Sequence, residues 1–203
     1  MEHNLLLQGI IIGFSLALPI GPIGVLCIRK TLAEGHAAGI AIGLGAALAD
    51  SLYGCVAAFG LTVISNLLIA QGWWLRLIGG AFLCYLGIRT YFTRPVENGT
   101  TPNGKGLFAS FFSTFLLTLT NPLTILAFIG VFTALGLGNG ILSMRIALEL
   151  VLGVFLGSCS WFLLLTYGIA SFRKKINSNG LGWINRISGA LILLFGIIAL
   201  ISF

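Results

Sequence analysis

Asp50 is the only charged side chain in an apolar run covering residues 39–65. An ionised carboxylate inside a bilayer costs several kcal/mol, so such a residue faces a protein interior and invites a role: carrying a proton, or holding a substrate ammonium. The competing role is structural, an acid satisfied by a Ser, a Thr or a backbone amide. Two backbone interruptions accompany it. Pro19-Ile20-Gly21-Pro22 breaks the uncharged stretch Leu5–Ile28, and Asn121-Pro122 breaks a second apolar stretch. Each proline removes an N–H donor and clashes with the preceding turn. Backbone freed at membrane depth is tolerated only inside protein or along a watery cavity. The half-helix that follows each break presents free N–H groups and the positive end of its dipole, which suits a carboxylate. The carbonyls that precede it, around Leu18 and Thr120, suit a cation. A zwitterion uses both. Pro19, Gly21, Pro22, Asn121 and Pro122 are therefore the candidate binding residues, with Asp50 the candidate proton-coupling residue. Tyr53 and Trp161 are candidate walls of the same cavity, with core packing as their alternative.

The elements that position these groups follow from composition. Hydrophobic residues make up 58% of the 203-residue chain and charged residues 8%, which excludes a soluble domain and indicates an all-α polytopic membrane protein. Hydropathy predicts six transmembrane helices, at about Leu5–Ile28, Gly39–Ser65, Trp73–Tyr91, Leu107–Ala134, Ile146–Phe172 and Trp183–Phe203. They form one polytopic membrane domain, 1–203. The first stretch is long and lacks a basic region before it, so it reads as a retained helix and not a signal. The net charge of +6 reflects loop cations and not nucleic-acid binding. Arg29, Lys30, Arg89, Arg94, Lys105, Arg173, Lys174, Lys175 and Arg186 fall on one side, against Arg76 and Arg145 on the other. That bias places both termini outside the cytoplasm. Arg76 and Arg89 bracket the third helix as interfacial anchors. Glu149, one turn inside the fifth, reads as structural. Cys27, Cys55, Cys84 and Cys159 sit singly in apolar segments, with no C-x-x-C or His-rich spacing, and read as small buried hydrophobes. No cofactor or metal is implied.

An internal repeat organises the chain. Trp74, Gly80-Ala81 and Gly87 recur as Trp183, Gly189-Ala190 and Gly196 at an offset of 109; Gly45, Tyr53 and Gly60 recur as Gly153, Trp161 and Gly168 at 108. The two proline breaks correspond at about 100. The halves are repeat 1 (about 1–92), a linker (about 93–106) and repeat 2 (about 107–203). With three helices each they cross the membrane in opposite senses, as an inverted pair. Glycines spaced by four (Gly9/Gly13/Ala17, Gly39/Gly43, Gly153/Gly157) predict faces where backbones approach closely.

These residues resemble the LysE/RhtB family of amino-acid exporters over nearly the whole chain. The resemblance rests on Pro-Ile-Gly-Pro after an apolar start, Gly35 and Gly39, Gly45 and Asp50, and Gly79-Gly80-Ala81 with Tyr85-Leu86-Gly87. Asn121-Pro122 and Gly157-Ser158 with Trp161 complete it. The chain departs from many members in Pro-Ile-Gly-Pro for Pro-Gly-Pro, Leu123 where Lys is frequent and Gly24 where Asn is frequent, which bears on substrate identity. The resemblance implies a six-helix, proton-driven exporter of the bacterial inner membrane. Its partners would be a small-molecule substrate (an amino acid or derivative), protons and lipid, with homo-oligomerisation left open. Two rivals compete. A heavy-metal or cation exporter would want several carboxylate, thiolate or imidazole ligands. A membrane thiol–disulfide carrier would want paired cysteines, yet at the repeat offsets Cys55 maps to Leu163, Cys84 to Leu193 and Cys159 to Ser51.

Overall fold

The computed structural model describes residues 5–18, 21–58, 72–92, 104–121, 124, 125, 127, 128, 131, 144–173 and 178–201. These residues form an all-helical structure. Its helices are α1 (Leu5–Ala17), α2 (Pro22–Glu34), α3 (His36–Ala58), α4 (Gly72–Phe92), α5 (Gly104–Leu119), α6 (Met144–Arg173) and α7 (Ser178–Ile201). Residues 124, 125, 127, 128 and 131 are helical as well. Pro19, Pro122 and Leu123, and the part of the linker before Gly104, lie outside the described residues.

Two helices have the length and hydropathy of a membrane span, His36–Val56 and Met144–Phe172, and α1 with α2 makes a third if the pair is one broken span. The apolar helices Leu77–Phe92, Gly106–Leu119 and Gly182–Ile198 are shorter. The outer faces are apolar too. Ile187, Leu191, Leu194, Ile198 and Ile201 follow one another along α7 at 40–71% exposure. A water-soluble protein does not expose such a stripe without a partner, whereas lipid covers it.

The first apolar stretch breaks where the prolines predict. α1 ends at Ala17, and α2 starts at Pro22 with Gly21 as its N-cap, the two helices set at 79° to one another. Pro at the first helical position loses no intrahelical bond and has its φ preset for a helix. α2 then runs past Ile28 to Glu34. Arg29 and Lys30 therefore lie in a helix and not in a connection, because nothing breaks the helix before Gly35. The Lys30–Glu34 ion pair (2.6 Å), four residues apart, supports its last turn. Gly35 closes that turn, with φ 98° and its N–H donating to the Thr31 carbonyl at 2.9 Å. The positive φ, costly for a residue with a Cβ, lets α3 start at the next residue. Arg186, also expected in a connection, lies inside α7, which starts before Trp183.

Glycines set the helix pairs. A Cβ on Gly45 of α3 would run into the carbonyl of Phe111 and the amide of Phe115 on α5; one on Gly153 of α6 would run into the carbonyl of Leu6 and the amide of Ile10 on α1. These contacts correspond atom for atom, at 108 residues for the glycines and 105 for their partners (Leu6 to Phe111, Ile10 to Phe115). Gly9 and Gly13 meet Leu150, Gly153 and Val154 in the same α1–α6 seam, as the small-residue stripes predict. α4 and α7 pack antiparallel: Gly80 lies against Leu200 and Gly196, and Gly189 against Tyr91 and Gly87. α3 and α6 are antiparallel as well, Gly39 meeting Thr166 and Gly43 meeting Phe162. Two apolar clusters fill the interior. One joins Leu26, Ile42, Leu83, Leu117 and Ile192 around α2; the other joins Ile12, Tyr53, Phe128, Leu150 and Val154.

Candidate functional site

Gly21 and Asn121 hold equivalent places at the two breaks. The Gly21 carbonyl accepts from the Val25 N–H at 3.0 Å, and the Asn121 carbonyl accepts from the Ile125 N–H at 3.2 Å. Each thus opens a helical segment whose first turn follows a proline in the sequence. The breaks lie 100 residues apart while the half-helices before them match at 105. From Leu6 to Gly21 is 15 residues; from Phe111 to Asn121 is 10. Five extra residues separate the first seam from its break.

Pro22 has no N–H, so Ile23 and Gly24 are the first residues of α2 to offer one without an intrahelical acceptor. Across from them the Asn121 side-chain amide donates to Thr124 Oγ1 at 2.9 Å. A cavity of about 300 Å³ lies between the two breaks, bounded by Gly21, Pro22, Ile23 and Gly24 on one wall and Thr118, Asn121 and Thr124 on the other. Asp50 and Ala46 of α3 reach it, as do Phe162 of α6 and Leu16 and Ala17 at the end of α1. Its volume falls at the small end of the range for small-molecule sites.

Asp50 is 5% exposed and accepts a hydrogen bond from Ser158 Oγ at 2.6 Å. One carboxylate oxygen is held by a hydroxyl, as the structural role expects, and the residue also borders the cavity. Ser158 lies 108 residues on from Asp50, the spacing at which the sequence matches Gly45 with Gly153. That correspondence was the signal for it; residue type alone does not separate it from other hydroxyls.

Of the candidates, Gly21, Pro22, Asn121 and Asp50 come together around the cavity. Tyr53 and Trp161 do not line it. Tyr53 is buried and donates its phenol O–H to the Leu119 carbonyl at 2.6 Å, at the end of α5. Trp161 packs edge-on against Phe14 near the end of α1, ring centroids 5.6 Å apart. Each aromatic braces the half-helix that runs into a break. The cation role suggested for the carbonyls before the second break is not supported. Leu119 O is taken by Tyr53, and Thr120 O lies against Gly79 of α4, where a Cβ would stand 2.6 Å away. Glu149 pairs with Arg145 at 3.1 Å on the surface. Cys27 is packed in the core, its thiol near Gly39 O and Thr166 Oγ1.

A family model described as LysE type translocator matches residues 14–202. Over 196 residues the chain is 29% identical to the Bacillus subtilis (strain 168) protein named "Putative amino acid efflux protein YcgF", covering 95% of this chain and 93% of the relative. It is 26% identical over 207 residues to the B. subtilis membrane protein YrhP, covering 96% and 97% of the two chains. It is 29% identical over 109 residues to the Escherichia coli (strain K12) membrane protein YahN, about half of each. No solved structure matches the chain. The protein belongs to the LysE type translocators, a family of membrane transporters and not of enzymes.

Proposed function

We propose that the protein is a secondary exporter of amino acids or close derivatives in the bacterial inner membrane, driven by the proton gradient. The observation that carries this reading is the cavity that gathers both helix breaks and Asp50 in one place. The Ile23 and Gly24 amides at the start of α2 hold the substrate carboxylate. Asp50 exchanges a proton, or receives the substrate amine, from a wall with no other charged group among the described residues. Full-length resemblance to a relative named for amino acid efflux supports the substrate class.

The chain crosses the membrane six times, as two inverted three-helix repeats with both termini outside the cytoplasm. Support comes from the matched contacts of Gly45 and Gly153, the matched caps Gly21 and Asn121, and the bracing of each break by Tyr53 or Trp161. Two inverted repeats can exchange conformations and so expose the cavity to each side in turn, which is alternating access. The test is transport in proteoliposomes with a panel of amino acids, with and without a pH gradient. At least one amino acid accumulates against its gradient when the pH gradient is present; transport of none overturns the reading.

A further inference from the structure

A second cavity, of about 410 Å³, lies at the end of the molecule where α2 and α4 finish and α5 begins. The central cavity uses Pro22–Gly24 of α2, Ala46 of α3 and Thr118 of α5. The second uses Leu26, Arg29 and Lys30 of α2, Ile42 of α3 and Thr114 of α5. The two are therefore stacked along the same three helices, about one turn apart on α3 and α5. Between them stand Leu26, Ile42 and Leu117, each at most 5% exposed, a dry partition.

The charge around the second cavity is unbalanced. Among the described residues, Arg29, Lys30 and Arg89 border it with Glu34 as the one carboxylate. Glu34 is engaged by Lys30 at 2.6 Å. Burial disfavours the Arg29 charge most, Glu34 favours it, and the Arg89 guanidinium repels it. Two polar groups in its walls also lack partners: Arg29 Nε on α2 and Thr114 Oγ1 on α5 are buried without a hydrogen bond. Buried polar groups left unmet are costly, so a water or a ligand is expected to meet these two. Ser113 already donates to the Ser110 carbonyl at 3.2 Å, which leaves the Arg29 Nε–H and the Thr114 hydroxyl as the unmet groups beside the Arg89 charge. The complement is a small anion, and a planar carboxylate fits a guanidinium fork best.

We propose that this second cavity is an entry subsite, in which Arg29 and Arg89 hold the carboxylate of the amino acid before it passes the Leu26–Ile42–Leu117 partition. The proposal rests on the export reading, which places this end of the molecule in the cytoplasm. It assigns substrate capture to Arg29, which the sequence offers only as a topology signal, and to Arg89, which it offers as an interfacial anchor. An anionic lipid headgroup offers related chemistry, and the experiment separates the two sources.

The test is thermal unfolding of the purified full chain in nonionic detergent, with each of a panel of amino acids and with the matching amino-acid amides, which lack the carboxylate. R29Q and R89Q are compared with R29K and R89K, which keep the charge and control for folding. The expected result is stabilisation by at least one amino acid and not by its amide. R29Q and R89Q each weaken that binding about tenfold, the loss of one charge-assisted hydrogen bond, and the lysine variants weaken it less. In phosphatidylcholine proteoliposomes, the glutamine variants raise the half-saturating substrate concentration and leave the maximal rate within about twofold, the signature of lost capture without lost turnover. Equal binding to R29Q, R89Q and wild type overturns the subsite and leaves the export reading standing if transport persists. Stabilisation only by added phosphatidylglycerol overturns it in favour of a lipid headgroup. Arginine-dependent binding without transport of any amino acid overturns the export reading and leaves the carboxylate site. No carboxylate binding at all overturns the subsite.

Discussion

Ser158 donates to Asp50 at 2.6 Å, so one hydrogen bond joins α6 to α3 at the edge of the cavity, between positions that the proposed repeat makes counterparts. Replacing Ser158 by Ala leaves a buried carboxyl oxygen unmet. S158A is expected to lower stability by about 1–3 kcal/mol, and by distinctly less in an Asp50→Ala background, which has no acceptor for the hydroxyl. Unfolding of the two single variants and the double variant measures the coupling; additive costs would mean the 2.6 Å contact contributes nothing. The acid was legible in the sequence because a lone charge in an apolar run has few tolerable surroundings. Its partner was not singled out, since Ser and Thr are common in such helices and satisfy themselves on their own backbone, as Ser51 does on Ala47. Tyr53 and Trp161 were legible as a matched pair, but residue type does not reveal which way a ring points. Both turned from the cavity to brace the broken helices.

At the scale of the helices, glycine marks where backbones touch. Gly153 stands against Leu6, Gly9 and Ile10 of α1, and a side chain there must push the helices apart. Gly168, on the exposed face of the same helix, has open space where a Cβ would stand, with no atom within 4 Å. G153V is therefore expected to destabilise by about 1–3 kcal/mol or more, through forced separation of α1 and α6. G168A is expected to stabilise by about 0.5–1 kcal/mol, because Ala outranks Gly in a helix interior. Thermal unfolding of the two variants in one detergent decides, and equal effects would contradict the seam. Helix existence and the breaks were legible because proline and hydropathy act locally. The end of α2 was not: positive residues near an apolar boundary read as a loop, whereas the Lys30–Glu34 pair and the lack of a breaker carry the helix to Gly35. The mismatch between the 105-residue and 100-residue offsets stayed hidden for a similar reason, since proline motifs are conspicuous and carbonyl contacts are not.

For the molecule as a whole, the inverted-repeat reading fixes orientation. The proposed six spans, with the basic ends in the cytoplasm, put both termini outside. Alkaline phosphatase fused after Phe203 is expected to be active, and a fluorescent protein that folds only in the cytoplasm dark; the reverse pattern would refute the span count or the orientation. In the sequence the proposed repeat rests on spacing alone; the matched contacts of Gly45 and Gly153 support it, because glycine matches in a glycine-rich chain acquire weight only when equivalent backbone atoms meet. The central claim is that the cavity between the breaks moves amino acids at the expense of protons through Asp50. The most direct measurement compares wild type with Asp50→Asn in proteoliposomes, following both uphill amino-acid accumulation driven by a pH gradient and gradient-free exchange of labelled for unlabelled substrate. Asn keeps the shape and can still accept from Ser158, so the account predicts that D50N abolishes uphill accumulation while retaining measurable exchange. Accumulation by D50N with the pH dependence of wild type would contradict it.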